Sequence, residues 1–157
     1  MESEIVNYAN KLSPIMLKLL EDSNFYNTAV NSYVQNSLKG QISLTAGRKI
    51  KPPAAGFPEF CIALTESYGQ ITASQKEIAE VVPPDEAQSH HSKLVAACQK
   101  KEQALDEYLT YTDQVIKNGA GDSIHLQQAN ELMKENSQLL EEANRELVEL
   151  YTKADRR

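Results

Sequence analysis

The sequence predicts an all-α protein, an antiparallel up-down four-helix bundle with a long first connection, on three observations. Apolar residues recur at alternating spacings of four and three along four separate segments, the mark of helices with one buried face. Pro83-Pro84 and the run Asn118-Gly119-Ala120-Gly121-Asp122-Ser123 each end one segment and open the next within a few residues, which turns neighbouring helices back on each other. No period-two segment suggests a sheet. The expected helices cover about 3–39, 58–82, 84–118 and 123–153, with a loop over 40–56, and 157 residues suit one domain with a shared core.

The first segment carries the stripe Ile5, Tyr8, Leu12, Ile15, Leu19, Tyr26, Val30 and Tyr33, interrupted by Pro14. Ser13-Pro14 can be an N-cap with proline at the first helical position, or a kink inside one helix. The stripe keeps its phase across the proline, which favours a kinked continuous helix.

The connection that follows differs from the other two. Residues 40–56 hold three glycines, two prolines and the cations Arg48, Lys49 and Lys51 without a single acid, in a chain whose net charge is −6. A loop of this length inside a small domain is commonly functional. Arg48, Lys49 and Lys51, with Phe57 at the start of the next helix, are therefore the candidate interaction residues. The 118–123 turn is expected to meet this loop at one end of the bundle.

The second segment reads Phe57, Cys61, Leu64, Tyr68, Ile71, Gln75, Ile78 and Val82, broken only by Gln75. The third reads Ala87, His91, Leu94, Cys98, Lys101, Leu105, Tyr108, Thr112 and Val115, broken by His91, Lys101 and Thr112. Folding about Pro83 sets Gln75 and His91 at one level, with Tyr151 at a similar height, so these three form a candidate buried polar layer. The same folding separates Cys61 from Cys98 by about 10 Å along the axis at 1.5 Å per residue. That exceeds disulfide reach, and two free, buried thiols are expected.

In the fourth segment Leu126, Met133, Leu140 and Leu147 stand at heptad spacing, a seam of coiled-coil type that can complete the core or join two subunits.

Reactive constellations are thin. A dimetal bundle needs Glu-x-x-His on two helices, whereas the nearest match, Glu86 with His90, is spaced four apart. His91 and Cys98 lie two turns apart, too far for one ion, so a small-ligand or metal site near His90 and His91 is the lowest alternative. There is no nucleophile elbow, oxyanion glycine pair or phosphate loop. Neither a catalytic nor a cofactor residue is expected, and the acidic balance disfavours nucleic acid.

Val81-Val82-Pro83-Pro84-Asp85-Glu86-Ala87, with His91 and Leu94, resembles the helix start of small helical domains in bacterial cell-envelope lipoproteins. The resemblance implies action by binding rather than catalysis. With an N-terminal tether, the 83–84 turn would face the membrane and the basic loop outward. Met1-Glu2-Ser3-Glu4 has neither the basic start nor the apolar middle of a signal peptide, and no run approaches a membrane span. A cytoplasmic location is expected as the sequence is written, an extracytoplasmic one if it is a trimmed envelope protein. The functional expectation is a non-enzymatic protein–protein interaction module with an unidentified protein partner. A self-associating bundle, a homo-oligomer through the fourth-segment seam, is the alternative.

Overall fold

The structure, a computed structural model, describes residues 3–38 and 47–155. It is all-α apart from one two-residue strand pairing. Residues 40–46 of the expected loop, and Lys39 of the expected first helix, lie outside the described residues.

Helix α1 spans Glu4–Phe25 and is capped by Ser3, whose side-chain oxygen accepts the Val6 N–H at 3.2 Å. Pro14 lies inside α1, so the continuous reading holds. Beside it Ser13 Oγ donates to Ala9 O at 2.8 Å, in the turn that proline deprives of a donor. Beyond Phe25, Tyr26–Asn31 form a π-helical turn before α2, Ser32–Ser37. No stripe announced this. Within it Thr28 Oγ1 donates to Asn24 O, and Ser32 Oγ donates to Asn27 O five residues back, the spacing of a π-turn. The wider turn keeps Tyr26, Val30 and Val34 buried at successive spacings of four.

Strand β1 (Lys49–Ile50) leads to α3 (Phe57–Ala79), which starts after Gly56 in a left-handed conformation at φ 84° with Pro58 in its first turn. A 3-10 turn, Asp85–Ala87, opens α4 (Gln88–Asn118). Gly119, at φ 84°, ends α4 with its N–H on Val115 O. Strand β2 (Gly121–Asp122) and α5 (Ser123–Asp155) complete the chain.

The most extensive helix interface joins α4 and α5; α3 packs on α4, and α1 on both α3 and α5. Lys93–Glu146, Lys100–Glu135 and Glu107–His125 run up one helix and down the other, so α4 and α5 are antiparallel. Tyr8–His90 and Tyr26–Tyr108 are both 82 residues apart, which sets α1 alongside α4 in one direction.

The core face of α3 differs from the expected stripe. Phe60, Ala63, Leu64, Ser67, Ile71, Ser74 and Ile78 are buried, whereas Phe57, Cys61, Tyr68 and Gln75 are half-buried and Val82 is 86% exposed. Ala63, Ser67 and Ser74 are small, and serine does not register as apolar in a periodicity reading. In α5 the heptad residues Met133, Leu140 and Leu147 pack, half-buried, on this chain's own core around Leu126, Ala129 and Ala143. Asn136 is buried among them and its Nδ2 donates to Ala97 O at 2.6 Å. Both cysteines are free; Cys98 is buried as expected and Cys61 only half-buried.

Candidate functional sites at the two ends

At one end the basic segment is fixed to the α4–α5 turn. Lys49 pairs with Asp122 and Ile50 with Gly121 in the antiparallel ladder, an arrangement absent from the sequence reading because two residues are too short for a period-two signal. The Ser123 N–H donates to Arg48 O at 2.8 Å, and the Arg48 N–H to Ser123 Oγ at 3.2 Å. Buried Ile50 anchors the segment in the core, and Tyr33 Oη donates to Pro53 O at 2.9 Å. Only glycine fits at 121: a Cβ there would overlap the Tyr111 ring and crowd the Tyr111 carbonyl oxygen. The turn is braced from beneath by the Asp122 N–H on Gln114 Oε1 at 2.8 Å and the Ile124 N–H on Asp122 Oδ1 at 3.0 Å. Gln114 Nε2 meets His125 Nε2 at 3.2 Å, while His125 Nδ1 lies 2.7 Å from Glu107 Oε2.

This platform exposes Arg48, Lys49 and Lys51 to solvent. Phe57, the fourth candidate interaction residue, is half-buried and packs 6.4 Å from Phe60, so it supports the platform more than it presents a surface.

At the opposite end two imidazoles converge on one phenol. Tyr8 Oη lies 2.7 Å from His90 Nδ1 and 3.2 Å from His91 Nδ1. A hydroxyl has one proton, so one ring nitrogen accepts and the other donates. His90 is fully buried, and desolvation pushes its pKa down to about 4 against the opposing pull of Glu146; desolvation also lowers His91. The Tyr8 hydroxyl is raised by burial, then by Glu146. Glu146 itself is lowered, first by a hydrogen bond from Ser89, and its Oε2 lies 3.0 Å from Lys93 Nζ. Tyr8 also lines a recess of about 700 Å³ formed by the start of α1, the Pro83-Pro84 turn and Ala154.

The expected Gln75–His91–Tyr151 layer is not formed. His91 turns to Tyr8, Gln75 lines a recess with Cys98 and Gln99, and Tyr151 is 43% exposed in a groove with Ala9 and Ser13. The reason is that Gln75 and His91 stand on different faces: His91 is turned to Tyr8 on α1, whereas Gln75 opens on the recess between α3 and α4.

Two buried charges complete the interior. Asp22 on α1 and Lys101 on α4 are 5% and 4% exposed, and the Lys101 ammonium sits 5.5 Å from the centroid of the Tyr26 ring. Desolvation raises Asp22 and lowers Lys101, each opposed chiefly by the other's charge. Lys101 broke its stripe and was visible in the sequence; Asp22, on the turn before the π-helix, was not. Among the described residues no three His, Cys, Asp or Glu side chains are grouped so as to hold a metal ion, and no helix is long and apolar enough to cross a membrane. Compared with known proteins, the chain matches no family model, no curated protein and no solved structure.

Proposed function

We propose that this chain is a non-enzymatic, antiparallel up-down four-helix bundle whose long first connection makes it a protein–protein interaction module. The observation that carries this reading is the pinning of β1 to the α4–α5 turn. Three solvent-exposed cations are thereby held on a braced platform in an otherwise acidic protein, where holding them costs a partner little further ordering entropy. The partner is a protein presenting acidic side chains; the net charge of −6 speaks against nucleic acid. No cofactor or metal enters this reading.

The test is the triple replacement Arg48→Glu, Lys49→Glu, Lys51→Glu, which keeps Ile50 in the core. Cross-linking in cells followed by mass spectrometry should lose the partner found with the unaltered protein. An unchanged set of cross-linked proteins, with helicity intact, overturns the reading.

A second reading is self-association. Leu17 and Leu20 on α1 and Val148 and Tyr151 on α5 are exposed, whereas the heptad residues proposed for that role face the core. A second copy would therefore have to use the exposed set. Sedimentation equilibrium decides it, since a monomer over a wide concentration range removes the dimer.

A further inference from the structure

Helical serines and threonines ordinarily return their hydroxyl to the carbonyl one turn back. Thr65 and Thr72, on the outer face of α3, do so, donating to Cys61 O and Tyr68 O at 3.1 and 2.8 Å. Ser67 and Ser74, on the inner face of the same helix, do not: both hydroxyls are buried and without a hydrogen-bond partner. Gln70 Oε1, between them on α3, is likewise buried and unpartnered, and so is Asp22 Oδ2 on α1.

These orphans share one region. Lys18–Glu77, at 3.4 Å, and the Tyr33–Phe60 stack, at 4.5 Å between centroids, show the chain from α1 to α2 running antiparallel to α3. Asp22 stands four residues beyond Lys18 and Ser74 three residues before Glu77, so at about 1.5 Å per residue they reach the same level from the two helices. Both face inward. Gln75 and Cys98 line one recess between α3 and α4, which brings Lys101, one turn beyond Cys98, to the neighbouring level.

We propose that α1, α3 and α4 enclose a hydrated polar slot at mid-bundle, in which at least one ordered water is bound between Asp22 Oδ2 and Ser74 Oγ. Buried polar atoms in folded proteins are almost always satisfied, and trapped water commonly supplies the missing partner where two or more polar groups converge. A water there donates to the carboxylate and exchanges a hydrogen bond with the serine hydroxyl. Gln70 and Ser67 extend the slot along α3 toward Tyr26. The slot lets the Asp22 carboxylate remain solvated without direct contact with Lys101, and explains why two inner-face positions are serine where alanine would pack.

Oxygen-17 relaxation dispersion on the full chain counts long-lived internal waters. His90 Nε2, another buried atom without a partner at the far end of the bundle, is an independent place for one, so assignment comes from a variant. Ser74→Val fills the hydroxyl position with a methyl group and should lower the count by at least one with helicity unchanged. An equal count in Ser74→Val, or no long-lived water in the unaltered protein, overturns the proposal. If Ser74→Val does not fold, a crystal structure of the unaltered protein decides instead. Density for a water within hydrogen-bond distance of both Asp22 and Ser74 supports the slot. Direct closure of the two side chains, or a sodium ion in that place, overturns it.

Discussion

The Tyr8–His90–His91 cluster and the Asp22–Lys101 pair are both buried and polar, yet they keep their polarity by different means. In the first, all three groups are neutral at ordinary pH and one hydroxyl joins two imidazoles at hydrogen-bond distance. In the second, the groups carry opposite charges that act on each other through space, with Lys101 leaning on the Tyr26 ring and Asp22 Oδ2 unpartnered. Hydrogen bonds are short-ranged and satisfied atom by atom, which lets Tyr8 and His90 Nδ1 be buried together even though His90 Nε2 is left without a partner. Charges interact at longer range but retain a demand for solvation, which is where a polar slot matters.

The comparison is broken most severely by removing one charge. Asp22→Leu leaves Lys101 buried without its counter-charge and should cost about 3 kcal/mol or more in urea denaturation. Asp22→Leu with Lys101→Met should recover much of that loss. Simple addition of the two single effects would show that the charges are not coupled.

Acid is the next largest probe, and it acts on the histidine end. His90 has a folded pKa of about 4 against an ordinary 6.5, so between those values the unfolded chain binds the extra proton. Stability therefore falls as pH drops from about 6.5 toward 4, by about 3 kcal/mol if the whole shift is expressed. His90→Gln should flatten that part of the stability–pH curve. A slope that survives the substitution assigns it to other groups held below their ordinary pKa, His91 and, toward the acid end, Glu146, since Asp22, raised by burial, gives the opposite slope.

Tyr8→Phe keeps the ring and removes the hydroxyl, which leaves the buried His90 Nδ1 without its partner. About 1–3 kcal/mol should be lost, the usual penalty for an unsatisfied buried polar group. An unaltered midpoint of denaturation would mean that the His90 ring finds another partner. The smallest effect belongs to the exposed platform, where each of Arg48→Glu, Lys49→Glu and Lys51→Glu should move stability by no more than about 0.5 kcal/mol. A larger loss would give these residues a part in holding β1.

Parts of this arrangement were legible beforehand. The stripes on the first and third segments, the continuity of α1 through Pro14, the Gly119 stop and the meeting of the basic segment with the 118–123 turn all follow from local rules of spacing, capping and turn chemistry. What failed did so where local rules are silent. His91 stood on the expected stripe, but His90 is the buried one, because α4 begins only after the 3-10 turn and its core face is broader than one stripe. Ser67 and Ser74 looked like surface residues, and Asp22 like one more charge on an acidic helix.

The sequence by itself determined that the chain is helical, between which residues its long helices are broken and which segment concentrates the cations. Those features depend on residues within a turn or two of each other. The tertiary structure alone decided the pairing register of α3 with α4, the partner of each histidine and the shared level of Asp22 and Ser74. Each depends on how far one helix slides against another, and many side chains set that jointly when they pack. A residue's hydrogen-bond partner 82 positions away is fixed by that slide, and no local pattern encodes it.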